Sequence, residues 1–111
     1  PSDGDFIRGL VEAGRAAEED TMIFDGKLVW KAGAAVVDPD RPGSPRVLFQ
    51  SVPEKKSGKN RVHLDLRVGD ERETVAENLV AAGASILHRG EQGPFQWITM
   101  ADPEANEFCL C

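Results

Sequence analysis

Apolar residues Phe6, Ile7, Leu10, Val11 and Ala17 recur at near-helical spacing, which predicts an amphipathic helix from Asp5 to about Glu18. Ser2, Asp3 or Asp5 offers a side-chain oxygen for its N-cap, while Gly9 and Gly14 weaken it. Beyond it the pieces are short and rich in strand formers. Thr21–Phe24 and Lys27–Trp30 flank Asp25-Gly26, the dipeptide of a two-residue hairpin. Ala34–Val37 predicts a strand that stops at Asp38-Pro39, and the Pro- and Gly-rich stretch 40–45 reads as a loop. Arg46–Val52 predicts another strand, ended by Pro53.

Val62, Leu64, Leu66 and Val68 then alternate with His63, Asp65 and Arg67, a clean period of two. Gly69-Asp70 opens a helix running to about Ala82, with Val75, Leu79, Val80 and Ala82 on its apolar side and Gly83 as its cap. Ser85–His88, Gln96–Met100 and Asn106–Cys111 predict three more strands, separated by turns at 91–94 and 102–104. The second half therefore reads β-α-β-β-β and the whole chain α+β. A helix covers only one face of such a sheet. Alternation assigns Val62, Leu64, Leu66, Phe108 and Leu110 to that face. His63, Asp65, Glu107, Cys109 and Cys111 fall on the opposite one.

Composition narrows the function classes. The chain has 111 residues and ordinary apolar content, enough for one core. Net charge is −6 with acids and bases interleaved, which argues against nucleic acid as a partner, since phosphate contact needs a concentrated positive patch. The densest basic stretch, 55–61, holds four cations and reads first as a solvated loop, with anion contact as the minority reading. There is no apolar run of bilayer length and no signal-peptide pattern at the start, so no membrane role is expected. Cys109 and Cys111 are too close along one strand for an ordinary disulfide, which points to a reducing, cytoplasmic setting. No Gly-rich phosphate loop, CxxC pair or Ser nucleophile elbow is present.

Four segments carry a specific likeness. Phe49-Gln50-Ser51-Val52-Pro53-Glu54, Lys59–Leu66, Leu79–Ala84 and Trp97–Cys109 resemble, in order and spacing, the motifs FQxVPE, KNRxHLDL, LxxLGA and WxxMxDPEGNEFC of glyoxalase-like domains in the vicinal oxygen chelate superfamily. The resemblance implies paired βαβββ modules that form a curved mixed sheet around a cavity. Residues 59–111 would be a complete second module. The first module would be incomplete, because the family's leading strand and helix, with one metal-ligand position, have no counterpart before the 5–18 helix; a neighbouring subunit that completes the sheet would make the protein a homodimer. Ala105 stands where the motif has Gly, a mild cost if that turn needs positive φ.

The same resemblance implies a divalent metal ion held by Gln50, His63 and Cys109. Glu107, two residues from Cys109 on the same face, is the candidate catalytic base, and Asp65, Trp97 and Trp30 are the candidate ligand contacts. Cys109 stands where the family has Glu, and a thiolate shifts preference from hard ions towards zinc and softer ones. Two functions follow. One is a metal-assisted lyase or dioxygenase acting on a small molecule. The other is metal-free sequestration of a small, apolar or aromatic compound, as in bleomycin-resistance proteins. Blander roles stand beside each residue: hydrogen bonding in the cavity wall for His63, packing for Cys109 and the tryptophans, turn formation for Asp102 and Asn106, and an exposed position for His88.

Overall fold

A computed structural model describes residues 3–111. The chain folds as α+β in two compact units, Pro1–Pro53 and Glu54–Cys111. Among the described residues no helix is long and apolar enough to cross a membrane.

In the first unit, α1 (Asp3–Glu12) is followed by a short 3-10 turn (Glu18–Asp20) and four strands. Strands β1 (Thr21–Phe24) and β2 (Lys27–Trp30) pair antiparallel, with Phe24 opposite Lys27. Positive φ at Asp25 (49°) and Gly26 (74°) makes the tight turn that their sequence indicated. Strands β3 (Gly33–Val36) and β4 (Val47–Gln50) form a second antiparallel pair. Helix α1 ends sooner than the 5–18 pattern predicts, and Gly14 is the reason. Its φ of 71° reverses the chain, the Gly14 N–H donates to the Val11 carbonyl, and the Arg15 N–H donates to that of Leu10. These two bonds occupy the last carbonyls of the helix and stop it. Of the cap candidates, Ser2 lies outside the described residues, and Asp5 sits within the first turn of α1, 3.5 Å from Arg8.

The second unit runs β5 (Leu64–Leu66), α2 (Arg72–Ala81), β6 (Ser85–Gln92), β7 (Phe95–Ala101) and β8 (Glu107–Leu110), the β-α-β-β-β order read from the sequence. Its mixed sheet has the order β5-β8-β7-β6, with β5 parallel to β8 and the other pairs antiparallel. Ile98 faces Leu110 and Met100 faces Phe108 across the β7–β8 ladder. With Ala76 of α2 they form the core, and Val68, Val75, Leu79, Ala84 and Ile86 pack around it. Met100 and Leu110 are fully buried, each removal of such a side chain from water stabilising by about 1.5–3 kcal/mol.

Two departures concern the strand predicted around residues 62–68. Only Leu64–Leu66 is regular strand, beside its one neighbour β8; beyond it the Val68 and Gly69 N–H groups both donate to the Cys111 carbonyl as the chain turns away. Leu64 and Leu66 do share the helix face, in register with Phe108 and Leu110, yet at this sheet end they stay 47% and 43% exposed, and Val62 lies outside the strand at 78%. Strand β6 is longer than predicted. It continues to Gln92, so the turn to β7 shrinks to Gly93-Pro94.

Helix α2 closes with the same device as α1. The Gly83 N–H donates to the Val80 carbonyl and the Ala84 N–H to that of Leu79. Gly83 has φ of 113°, and a Cβ there would lie 3.2 Å from the Pro103 ring. Gly83→Ala should therefore destabilise the protein by about 1–2 kcal/mol in urea unfolding. Gly58→Ala, at a site with open space, should leave the midpoint unchanged; equal midpoints for both variants would refute this account of the helix end.

Candidate functional site

The face of the second sheet opposite α2 carries the polar residues. Alternation places Trp97, Thr99 and Ala101 of β7 there, beside Glu107 and Cys109 of β8 and Asp65 of β5. Thr99 faces both His88 and Cys109. The side chains join into a continuous chain across the strands. His88 Nε2 lies 3.2 Å from Thr99 Oγ1, and Thr99 Oγ1 lies 3.5 Å from Cys109 Sγ. Cys109 Sγ lies 3.7 Å from His63 Nδ1, and His63 Nε2 lies 3.0 Å from Glu107 Oε2.

The chain ends in an anchored carboxylate. Glu107 Oε2 accepts from the Lys59 ammonium at 3.0 Å and from the Asn60 backbone N–H at 3.1 Å, besides facing His63. The Glu107 side chain is only 15% exposed, so a carboxylate there needs such partners. The Lys59 hydrogen bond and charge hold its pKa below the ordinary glutamate value, aided by His63 and the Asn60 N–H and opposed by burial. An ionised Glu107 can only accept, so His63 Nε2 carries a hydrogen, and in the neutral ring Nδ1 then presents its lone pair towards the Cys109 thiol. This tautomer is inferred from the hydrogen-bond network.

The candidate residues thus divide. His63, Glu107 and Cys109 meet in one network, and Asp65 is the in-register neighbour of Cys109 on β5. Trp97 shares the face and is half-buried, with its indole lying over Gly90, where a Cβ would come within 2.4 Å of the ring. Gln50 ends β4, opposite Gly33, and Trp30 ends β2, opposite Thr21; both belong to the first unit. Lys59 and Asn60 open the second likeness motif and were read first as a solvated basic loop; the anion they contact is the protein's own Glu107. Thr99 and His88 were missed as network members. Thr99 could have been found from the alternation Trp97, Thr99, Ala101, which continues the polar face through β7. Asp102 accepts from the backbone N–H groups of Glu104 and Asn106 and from the Asn106 amide. That is the turn role expected of both, and Ala105 within it has φ of 67°.

A Gln50, His63, Cys109 metal set is tested by its donors. One is a thiol, and the carboxylate beside His63 is already paired with Lys59. A hard divalent ion seeks oxygen donors with charge to spare. A thiol and an imidazole suit a softer ion better than a hard one.

Among known families, a model described as a glyoxalase-like domain matches residues 9–111. No curated protein and no solved structure matches the chain.

The lowered Glu107 pKa makes stability depend on pH in a defined direction. Its folded-state value lies below the ordinary 4.5, so its contribution is complete above that value and is lost as pH falls through the folded-state pKa. Acid unfolding followed by circular dichroism should show this loss in the wild type. Glu107→Gln should be less stable at neutral pH and should show a shallower acid dependence; parallel acid profiles would contradict the assignment.

Proposed function

The chain belongs to the glyoxalase-like domain family, and on that premise we propose that it binds a small, planar, apolar or aromatic molecule on the Trp97–Cys109 face without a resident metal ion. The observation that carries this reading is the neutralisation of Glu107 from within the chain. Lys59, Asn60 and His63 all converge on its Oε2, so the site's one anchored negative charge is balanced without a cation from solvent. Cys109 in place of an acidic ligand works in the same direction, since a thiol beside an indole makes a soft, polarisable surface. Trp97 is held over Gly90, which presents the ring system as a fixed wall for a flat ligand.

The competing reading is a metal-assisted lyase or dioxygenase with Glu107 as base. In its favour, His63 Nε2 and Glu107 Oε2 stand 3.0 Å apart, a separation that two ligands of one small octahedral cation also have, about 2.9 Å. In a Trp30→Phe background, titration with 4-phenyl-2-butanone should quench the Trp97 emission saturably, and protein purified without chelator should carry well under one metal per chain. Near-stoichiometric divalent metal that disappears in His63→Ala, with no quenching, would establish the metalloenzyme instead.

Self-association belongs to the same proposal. Strand β5 ends its sheet with Leu64 and Leu66 half exposed, and such an edge invites another chain. Light scattering should give the mass of a dimer; a monomer at high concentration would refute it.

A further inference from the structure

The thiol of Cys109 sits in a setting that a packing role does not require. A proton acceptor, His63 Nδ1, lies 3.7 Å from its sulfur. Behind it, Glu107 holds the other ring nitrogen at 3.0 Å and is itself fixed by Lys59 and Asn60. On the opposite side, the Thr99 hydroxyl lies 3.5 Å from the sulfur and can donate to a thiolate. Thr99 is buried, while Cys109 keeps partial access to solvent. Nucleophile, base and a third group that orients the base are therefore aligned, which is the arrangement that activates a thiol.

We propose that Cys109 is a nucleophile that adds to α,β-unsaturated carbonyl compounds, with His63 as the proton carrier and Glu107 as the positioning residue. The step balances within the site. His63 Nδ1 takes the thiol proton, and the sulfur electron pair forms a bond to the β-carbon of the acceptor. The carbon–carbon π pair moves onto the α-carbon and carbonyl as an enolate, and the imidazolium returns its proton to the α-carbon. The product is a thioether, and neither oxidant nor reductant takes part.

The backbone explains why conjugate addition suits this thiol better than acyl transfer. Acyl transfer needs N–H groups aimed at a developing oxyanion. Strand β8 lies between β5 and β7, so the backbone N–H groups around Cys109 are taken up alternately by the two ladders. Conjugate addition delocalises the developing charge over the enolate and discharges it by protonation at carbon. His63, rather than an oxyanion hole, is the group it calls for. A planar conjugated acceptor also matches the Trp97 wall on the same face.

This inference rests on the reading that the face admits a small molecule, and the choice of probe keeps the two separable. Acrylamide is a conjugate acceptor too small to need stacking on Trp97. The full chain is treated with acrylamide near neutral pH, and adducts at Cys109 and Cys111 are counted by tandem mass spectrometry. Cys109 should react on the order of tenfold faster than Cys111. His63→Ala and His63→Gln should abolish that advantage without changing the Cys111 rate. Glu107→Ala should reduce it, and Glu107→Gln, which can still accept from His63 Nε2, should restore part of it. Equal rates at the two cysteines in the wild-type chain would overturn the proposal, and that comparison needs no variant to fold. An advantage that survives both His63 substitutions would overturn it as well. Activation of Cys109 without quenching of Trp97 by 4-phenyl-2-butanone would leave this inference standing and remove the aromatic-binding one.

Discussion

A single carboxylate organises the polar half of the second unit. Glu107 belongs to β8, and it gathers Lys59, Asn60 and His63 from a stretch more than forty residues earlier in the chain, at sequence separations of 48, 47 and 44. A mostly enclosed negative charge without such donors would be costly, so the carboxylate and the approach to β5 fix one another. The direction of the His63 lone pair follows from that arrangement, and so does the environment of the Cys109 sulfur. The apolar face of the same sheet depends on simpler chemistry. Ile98, Met100 and Leu110 pack on Ala76 of α2 and need only volume and register.

These two faces differ in how far they could be read from the amino-acid sequence. The period of two in β8 was enough to put Phe108 and Leu110 under the helix and Cys109 and Glu107 on the other side, because pleating is a local property. The hairpin at Asp25-Gly26 was legible for the same reason. The extent of β5 was not. Whether a strand runs three residues or seven depends on its neighbours, and past Leu66 the Val68 and Gly69 N–H groups converge on the single Cys111 carbonyl instead of continuing the ladder. The end of α1 was legible only in part: Gly14 was visible as a weak point, but the bonds that make it a stop involve backbone carbonyls that no residue identity marks.

The site shows a similar division. His63 and Cys109 were singled out through likeness to a family, Glu107 through its side of the strand, and the three do meet. The charge balance among them was illegible. Lys59 and Asn60 looked like part of a solvated basic loop, and nothing local distinguishes a lysine that neutralises a distant glutamate from one that faces water. Asn60 contributes through its backbone N–H, a group that every residue but proline carries. Thr99 and His88 entered the network through cross-strand register, which is a property of the fold. Gln50 and Trp30 belong to the first unit, each at the end of a strand there.

The parallel pairing of β5 with β8 has a bearing on how this protein acquires its chemistry. The hairpin of β6 and β7 joins neighbours in sequence, and α2 lies next to β6 along the chain, so these can form early at small entropic cost. Bringing β5 beside β8 closes a loop that contains everything between them, a contact of high order and therefore a slow one. His63 and Cys109, 46 residues apart, come together only in that final closure. Nascent or partly opened molecules would hold the hydrophobic layer while leaving the sulfur beside no base. Reactivity at Cys109 is in that sense an attribute of the finished topology, dependent on a contact between residues 46 apart that neither local segment holds by itself.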